Sequence, residues 1–162
     1  MRLLKAFFLV LLSCGPSLAA NHYLLSSASG SGNGSDWTNA FTDCGTGAGQ
    51  MNPTTMVRGD TYFVGTGSYA TCVFHTAESS TSVITVKGAL AADHGTATGW
   101  SNAFGVDVTP ATWISGVQIW NGYYVIDGNT GTVAGGTGSY GFAFAKPASC
   151  ASGNTAITVG PG

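Results

Sequence analysis

From residue 22 onward the chain advances in short apolar and β-branched runs, each cut off by Gly, Ser, Thr or Asn before it reaches helix length. The runs fall at residues 22–26, 61–64, 72–75, 82–87, 116–120, 123–127, 141–145 and 156–159. Turn-bounded segments of this kind, rich in Val, Ile, Tyr, Phe and Thr, read as strands. Composition agrees where it matters: charged residues make up 7% of the chain, against about 25% in an ordinary soluble domain. Lys, Arg, Glu and Gln are therefore too scarce to cover the outside of long helices. The expectation is an all-β fold, and the same scarcity excludes a coiled coil, a charged disordered tail and a nucleic-acid-binding surface. One helical turn is predicted at residues 37–41, where Ser35 or Asp36 can cap it and Trp37 and Phe41 would share a face.

Residues 1–19 read as a secretory signal peptide. Arg2 and Lys5 flank the start of an apolar run, Ala6 to Leu12, and Ser17-Leu18-Ala19 supplies small residues at the −3 and −1 positions of a cleavage site. A membrane anchor is the competing reading, but the run is well short of the roughly 20 residues that span a bilayer. Leu11-Leu12-Ser13-Cys14-Gly15 also resembles a lipoprotein signal, with Leu12 fitting poorly. Removing 19 of the 162 residues leaves 143, in which Arg58, Lys87 and Lys146 face seven acidic side chains, a formal charge of −4. Residues 20–162 then form one mildly acidic secreted domain with no electrostatic case for nucleic acid or anionic lipid, and no membrane attachment after cleavage.

Three cysteines remain, Cys44, Cys72 and Cys150. Either one bridge forms, most simply Cys44 to Cys72, or all three are small buried hydrophobes. No Cys-x-x-Cys or His-x-x-x-His spacing exists, so a structural zinc site is not expected. Composition does not shift along the Gly-rich connections, which argues against a second domain. No strict repeat is visible, although the strand spacing suits a stacked solenoid with irregular coils.

The order of features resembles the N-terminal region of secreted right-handed parallel β-helix proteins, the pectate-lyase-like superfamily. The resemblance rests on Tyr23-Leu24-Leu25-Ser26, then Trp37 and Ala40-Phe41, then Gly59-Asp60-Thr61-Tyr62-Phe63-Val64 and Gly67-Ser68-Tyr69. It continues through Thr81-Ser82-Val83-Ile84-Thr85-Val86-Lys87-Gly88 and Tyr123-Tyr124-Val125-Ile126-Asp127-Gly128, covering most of residues 22–159. It implies stacked coils whose strands pair at about 4.8 Å with those above and below, and an N-terminal cap in which Trp37 and Phe41 are the cap residues. A glycan-binding antiparallel β-sandwich is the weaker architectural alternative. At roughly 20 to 25 residues per coil only five or six coils fit, and the chain stops after one strand and a turn. The expectation is a truncated β-helix, or a short unit stacking on further coils or another chain.

The resemblance also implies chemistry. Enzymes of this fold cleave polysaccharide by elimination, with Ca²⁺ held by carboxylates and a Lys or Arg base, or hydrolyse it with clustered carboxylates. The acidic candidates are Asp93, with His94 beside it, Asp107 and Asp127, but none sits in a transferable catalytic motif. Asp127-Gly128-Asn129 is also turn chemistry, and Asp93-His94-Gly95 also reads as a solvated loop. No cofactor is evident beyond Ca²⁺ by resemblance. Trp100, Trp113 and Trp120 are the candidate glycan-stacking residues, since aromatic faces stack on sugar rings; core packing is their alternative. Arg58-Gly59-Asp60 spells an adhesion tripeptide, but Gly-Asp before a strand reads as a turn. Asn33-Gly34-Ser35 is a glycosylation sequon only in a eukaryotic secretory pathway. The expected function is a secreted protein that acts on or binds polysaccharide or cell-surface glycan. A non-enzymatic adhesin or structural surface module is the alternative.

Overall fold

The structure, a computed structural model, describes residues 18–128, 140–145 and 157–159. Most of the signal segment, Cys14, Lys146 and Cys150 lie outside the described residues. Twelve short strands follow in order: β1 (Asn21–Leu24), β2 (Asp43–Cys44), β3 (Gln50–Met51), β4 (Thr61–Val64), β5 (Gly67–Tyr69), β6 (Cys72–Phe74), β7 (Ile84–Gly88), β8 (Ala111–Trp113), β9 (Val117–Ile119), β10 (Tyr124–Asp127), β11 (Phe142–Phe144) and β12 (Ile157–Val159). The one helical element among the described residues is a 3-10 turn, Asn102–Phe104.

The strands form parallel sheets. The first is ordered β1-β4-β7-β10, the second β5-β8-β11, the third β6-β9-β12, and β2 pairs with β3. From β4 on, each strand through β9 pairs with the strand three elements later, so each of the three larger sheets collects one member of each successive triplet. All ladder pairs among the described residues are parallel, which overturns the antiparallel sandwich, since hairpins would produce antiparallel neighbours.

Alternation decides which side chains face the core. In the first sheet the inner ladder runs His22, Tyr62, Val86, Ile126, with Leu24 beside Val64 and Ile84 beside Tyr124. In the second, Tyr69, Trp113 and Phe144 occupy one rung. The Trp113 ring stacks on Phe144 at 5.4 Å, meets Phe142 edge-on at 5.0 Å and lies 5.6 Å from Tyr69. Cys72 and Phe74 of β6 join Val117 and Ile119 of β9 in the same core. Burying each such side chain contributes about 1.5–3 kcal/mol.

The corner from the first sheet into the second depends on glycine. Gly67 has φ +143°, and a Cβ there would fall 2.0 Å from Ser26 Oγ. The Tyr69 hydroxyl pins the same corner by donating to the Gly65 carbonyl at 2.7 Å. A disulfide between Cys44 and Cys72 ties β2 to β6, with Cα atoms 5.3 Å apart and a sequence separation of 28.

The predicted helical turn at residues 37–41 is not helical. Asp36 Oδ1 does accept from the Asn39 amide at 2.8 Å, and the hydrogen bonds from Asn39 hold the Asp36 carboxyl below its usual pKa. The chain then turns onto the free edge of β1 instead. Phe41 N donates to Tyr23 O at 2.8 Å, Leu25 N to Phe41 O at 2.8 Å and Tyr23 N to Gly34 O at 3.1 Å. Covering an edge strand satisfies backbone groups that would otherwise invite another chain. As a result Trp37 and Phe41 share no face: Phe41 packs on the main core and Trp37 enters a second cluster.

Candidate functional site

The second cluster lies on the outer face of the first sheet. Parallel register aligns Tyr23, Phe63, Lys87 and Asp127 as one outward ladder across β1, β4, β7 and β10. Its first half is aromatic and buried. Tyr23 and Phe63 stack at 5.9 Å with an 11° tilt, and Trp37 meets Tyr23 edge-on at 5.0 Å. Burial holds the Tyr23 phenol above its ordinary pKa.

The second half of the ladder carries charge. Lys87 Nζ reaches Asp93 Oδ2, and both side chains keep contact with solvent. Asp93 is positioned by a tight reversal after β7, where Leu90 N donates to Asp93 O at 2.9 Å and Asp93 N to Leu90 O at 3.0 Å. Asp127, the register partner of Lys87, brings a second carboxylate to the same face.

The loop that follows carries the aromatic wall. The His94 ring stacks on Trp100 at 4.4 Å and 8°, its Nδ1 lies 3.0 Å from Thr96 O, and its carbonyl accepts from Trp37 Nε1 at 2.9 Å. Gly95 lets this loop lie against the ladder: φ is +71°, and a Cβ would sit 2.6 Å from the Tyr23 hydroxyl oxygen. Trp100 is partly exposed, donates Nε1 to Asn102 Oδ1 at 3.0 Å and tilts against Trp37 at 4.8 Å. One of its faces is occupied by His94.

Asp93, His94, Asp127 and Trp100 thus belong to one surface, and Lys87 joins them. Asp107 does not, being exposed in the stretch between the 3-10 turn and β8. Trp120 stands apart at the end of β9, 43% exposed, with Nε1 donating to Gln118 Oε1 at 3.0 Å. Trp113 is not available to a glycan. It is 1% exposed because the alternation of β8 turns Ala111 and Trp113 inward, and no ring face reaches solvent.

Sequence reasoning missed three arrangements. Lys87 is paired with Asp93, and Arg58 is held by four backbone carbonyls. Its Nη2 donates to Thr76 O at 2.8 Å, Nη1 to Gly122 O at 3.0 Å and Tyr123 O at 3.1 Å, and Nε to Ala77 O at 3.3 Å. Asp60 is 4% exposed. The Arg58-Gly59-Asp60 tripeptide therefore presents neither charge to a receptor. Asp60 instead receives Ala20 N at 2.9 Å and lies 2.8 Å from His22 Nε2, a pairing that local sequence does not signal.

His22 and Tyr62 also line a recess of about 320 Å³ together with Phe41, Met51, Met56 and Val57. Among the described residues no three His, Cys, Asp or Glu side chains converge to hold a metal ion, and no helix is long and apolar enough to cross a membrane. Comparisons with protein-family models, with curated proteins and with solved structures found no match.

Proposed function

We propose that this chain is a secreted right-handed parallel β-helix of the pectate-lyase-like type that binds extracellular polysaccharide on the outer face of its first sheet. The three-strand pairing period supports the architecture, because a chain that lays down three strands per coil pairs each strand with its counterpart one coil on. The signal-like segment and the Cys44–Cys72 disulfide support export.

One observation carries the binding reading: Lys87, Asp93, Asp127, His94 and Trp100 come from separate segments and converge on one face. Charged groups with solvent access can hydrogen-bond sugar hydroxyls, and the edges of the aromatic wall can pack against ring carbons. Two carboxylates against one ammonium favour a neutral polysaccharide, and an acidic one only with Ca²⁺ bridging.

The test is affinity electrophoresis of the secreted protein in gels containing neutral or acidic polysaccharides, with and without Ca²⁺. Retardation that falls at least tenfold in Lys87→Met and Asp127→Asn, both keeping the wild-type circular dichroism, supports the site. Equal retardation of the variants sinks it. New reducing ends or unsaturated products from the same polysaccharides would make the protein a hydrolase or lyase rather than a binding module.

The second reading is a non-enzymatic surface module that stacks on another chain. It is favoured by Val125, Ile157 and Val159, which are 46%, 47% and 73% exposed on β10 and β12. Sedimentation showing a monomer at all concentrations would remove it.

A further inference from the structure

We propose that the N-terminus left by cleavage after Ala19 is a square-planar Cu(II) or Ni(II) site built from the Ala20 α-amine, the backbone nitrogens of Asn21 and His22, and His22 Nδ1. The inference rests on the cleavage reading above and is independent of the polysaccharide site.

The sequence supplies the chelate. A free amine followed by two non-proline amides and a histidine in third place offers four nitrogens that close three fused rings around one ion. A tetragonal all-nitrogen set selects Cu(II) or Ni(II) by geometry over tetrahedral Zn(II). Three protons leave on binding, one from the ammonium and two from the amides.

The structure supplies the preorganisation. The buried Asp60 carboxylate accepts from the Ala20 peptide nitrogen on Oδ1 at 2.9 Å and lies 2.8 Å from His22 Nε2 through Oδ2, so the first and third residues of the chelate share one anchor and His22 Nδ1 is left unengaged by it. With Nε2–H donated to Asp60, the lone pair of the neutral ring is on Nδ1, the nitrogen the chelate needs. A carboxylate behind the far nitrogen is the usual partner of a metal-bound imidazole, fixing its tautomer and orientation. The Tyr62 ring, stacked on the imidazole at 4.5 Å and 22°, restrains its plane. Approach is open, because Ala20 and Asn21 are exposed and the His22 side chain is 26% exposed.

Chelation requires a local rearrangement. Ala20 N leaves Asp60, the bond from Thr61 N to Ala20 O, 3.0 Å long, is given up with the first register pair, Asn21 and Thr61, and the deprotonated His22 amide no longer serves as a donor in the β1–β4 ladder. The pairs Tyr23 with Phe63 and Leu24 with Val64 hold the rest of β1 in place.

The test adds one equivalent of CuCl₂ to the secreted protein after its N-terminal residue is determined by sequencing. The expected result is the visible d–d absorption of four-nitrogen square-planar Cu(II), with nitrogen splitting in the electron paramagnetic resonance spectrum. His22→Ala should abolish both signals. A chain beginning at Ala19 should abolish them as well while leaving the fold untouched, because the histidine then stands fourth. A first residue other than Ala20 overturns the cleavage reading and the site with it. An Ala20 N-terminus without these signals, or the same signals from the chain beginning at Ala19, overturns the site alone.

Discussion

The guanidinium of Arg58 lies over the ring of Tyr124, 5.2 Å from its centroid, while donating to four backbone carbonyls of two separate connections. One side chain thereby joins the start of β4 to the turns that precede β7 and β10. Lys has no planar fork to match four carbonyls. Arg58→Lys should lower stability by about 1–2 kcal/mol, read from urea unfolding. A loss below about 0.5 kcal/mol would mean that these carbonyls are satisfied equally well by water.

Trp113 is buried with its Nε1 unpartnered. Trp113→Ala should cost about 3–5 kcal/mol through the cavity it opens. Trp113→Phe removes the unsatisfied donor along with part of the ring, so the two effects oppose each other and the loss should be much smaller. Equal losses in the two variants, measured by denaturant midpoint, would contradict an unpaired indole nitrogen.

The Cys44–Cys72 bridge closes a loop with a sequence separation of 28. By chain entropy its loss should cost about 3–4 kcal/mol. The comparison is between oxidised protein and the Cys44→Ser, Cys72→Ser double variant in thermal unfolding. An unchanged midpoint would show that the bridge does not constrain the unfolded chain.

Alkali should unfold the protein through its phenols. Burial raises Tyr62 to about 12, and Tyr69 is raised further by the same cause. Above pH about 10 the unfolded chain releases these protons and the folded one keeps them. The unfolded state then binds fewer protons, so stability is constant below about pH 10 and falls as pH climbs toward 12. Phenolate absorbance and unfolding should therefore rise together for these two residues. Ionisation of all tyrosines near pH 10 with the fold intact would refute the burial.

The strands of the first and third sheets were legible in local sequence. Thr61–Val64 was expected with the bounds it has, and Ile84 and Val86 face inward as alternation in a strand requires. Period-two patterning is a local property, because neighbouring side chains on a strand must point to opposite faces. The second sheet was not legible beyond β11: Gly67-Ser68-Tyr69 and Ala111-Thr112-Trp113 are too short to show a period, and they are strands because a parallel neighbour supplies their hydrogen bonds. The helical turn at residues 37–41 failed for a related reason, since the β1 edge offered its backbone better partners than a helix would.

In the candidate site, Asp93, His94, Asp127 and Trp100 were visible as residue types, but their shared face was not. That face depends on register between β7 and β10, and the His22–Asp60 pair spans 38 residues. The residues of this chain determined by themselves that it would be all-β and built from short strands, because propensity and alternation act between neighbours. Which side chains meet was decided only by the tertiary structure, because stacking brings distant segments together through contacts that no local pattern encodes.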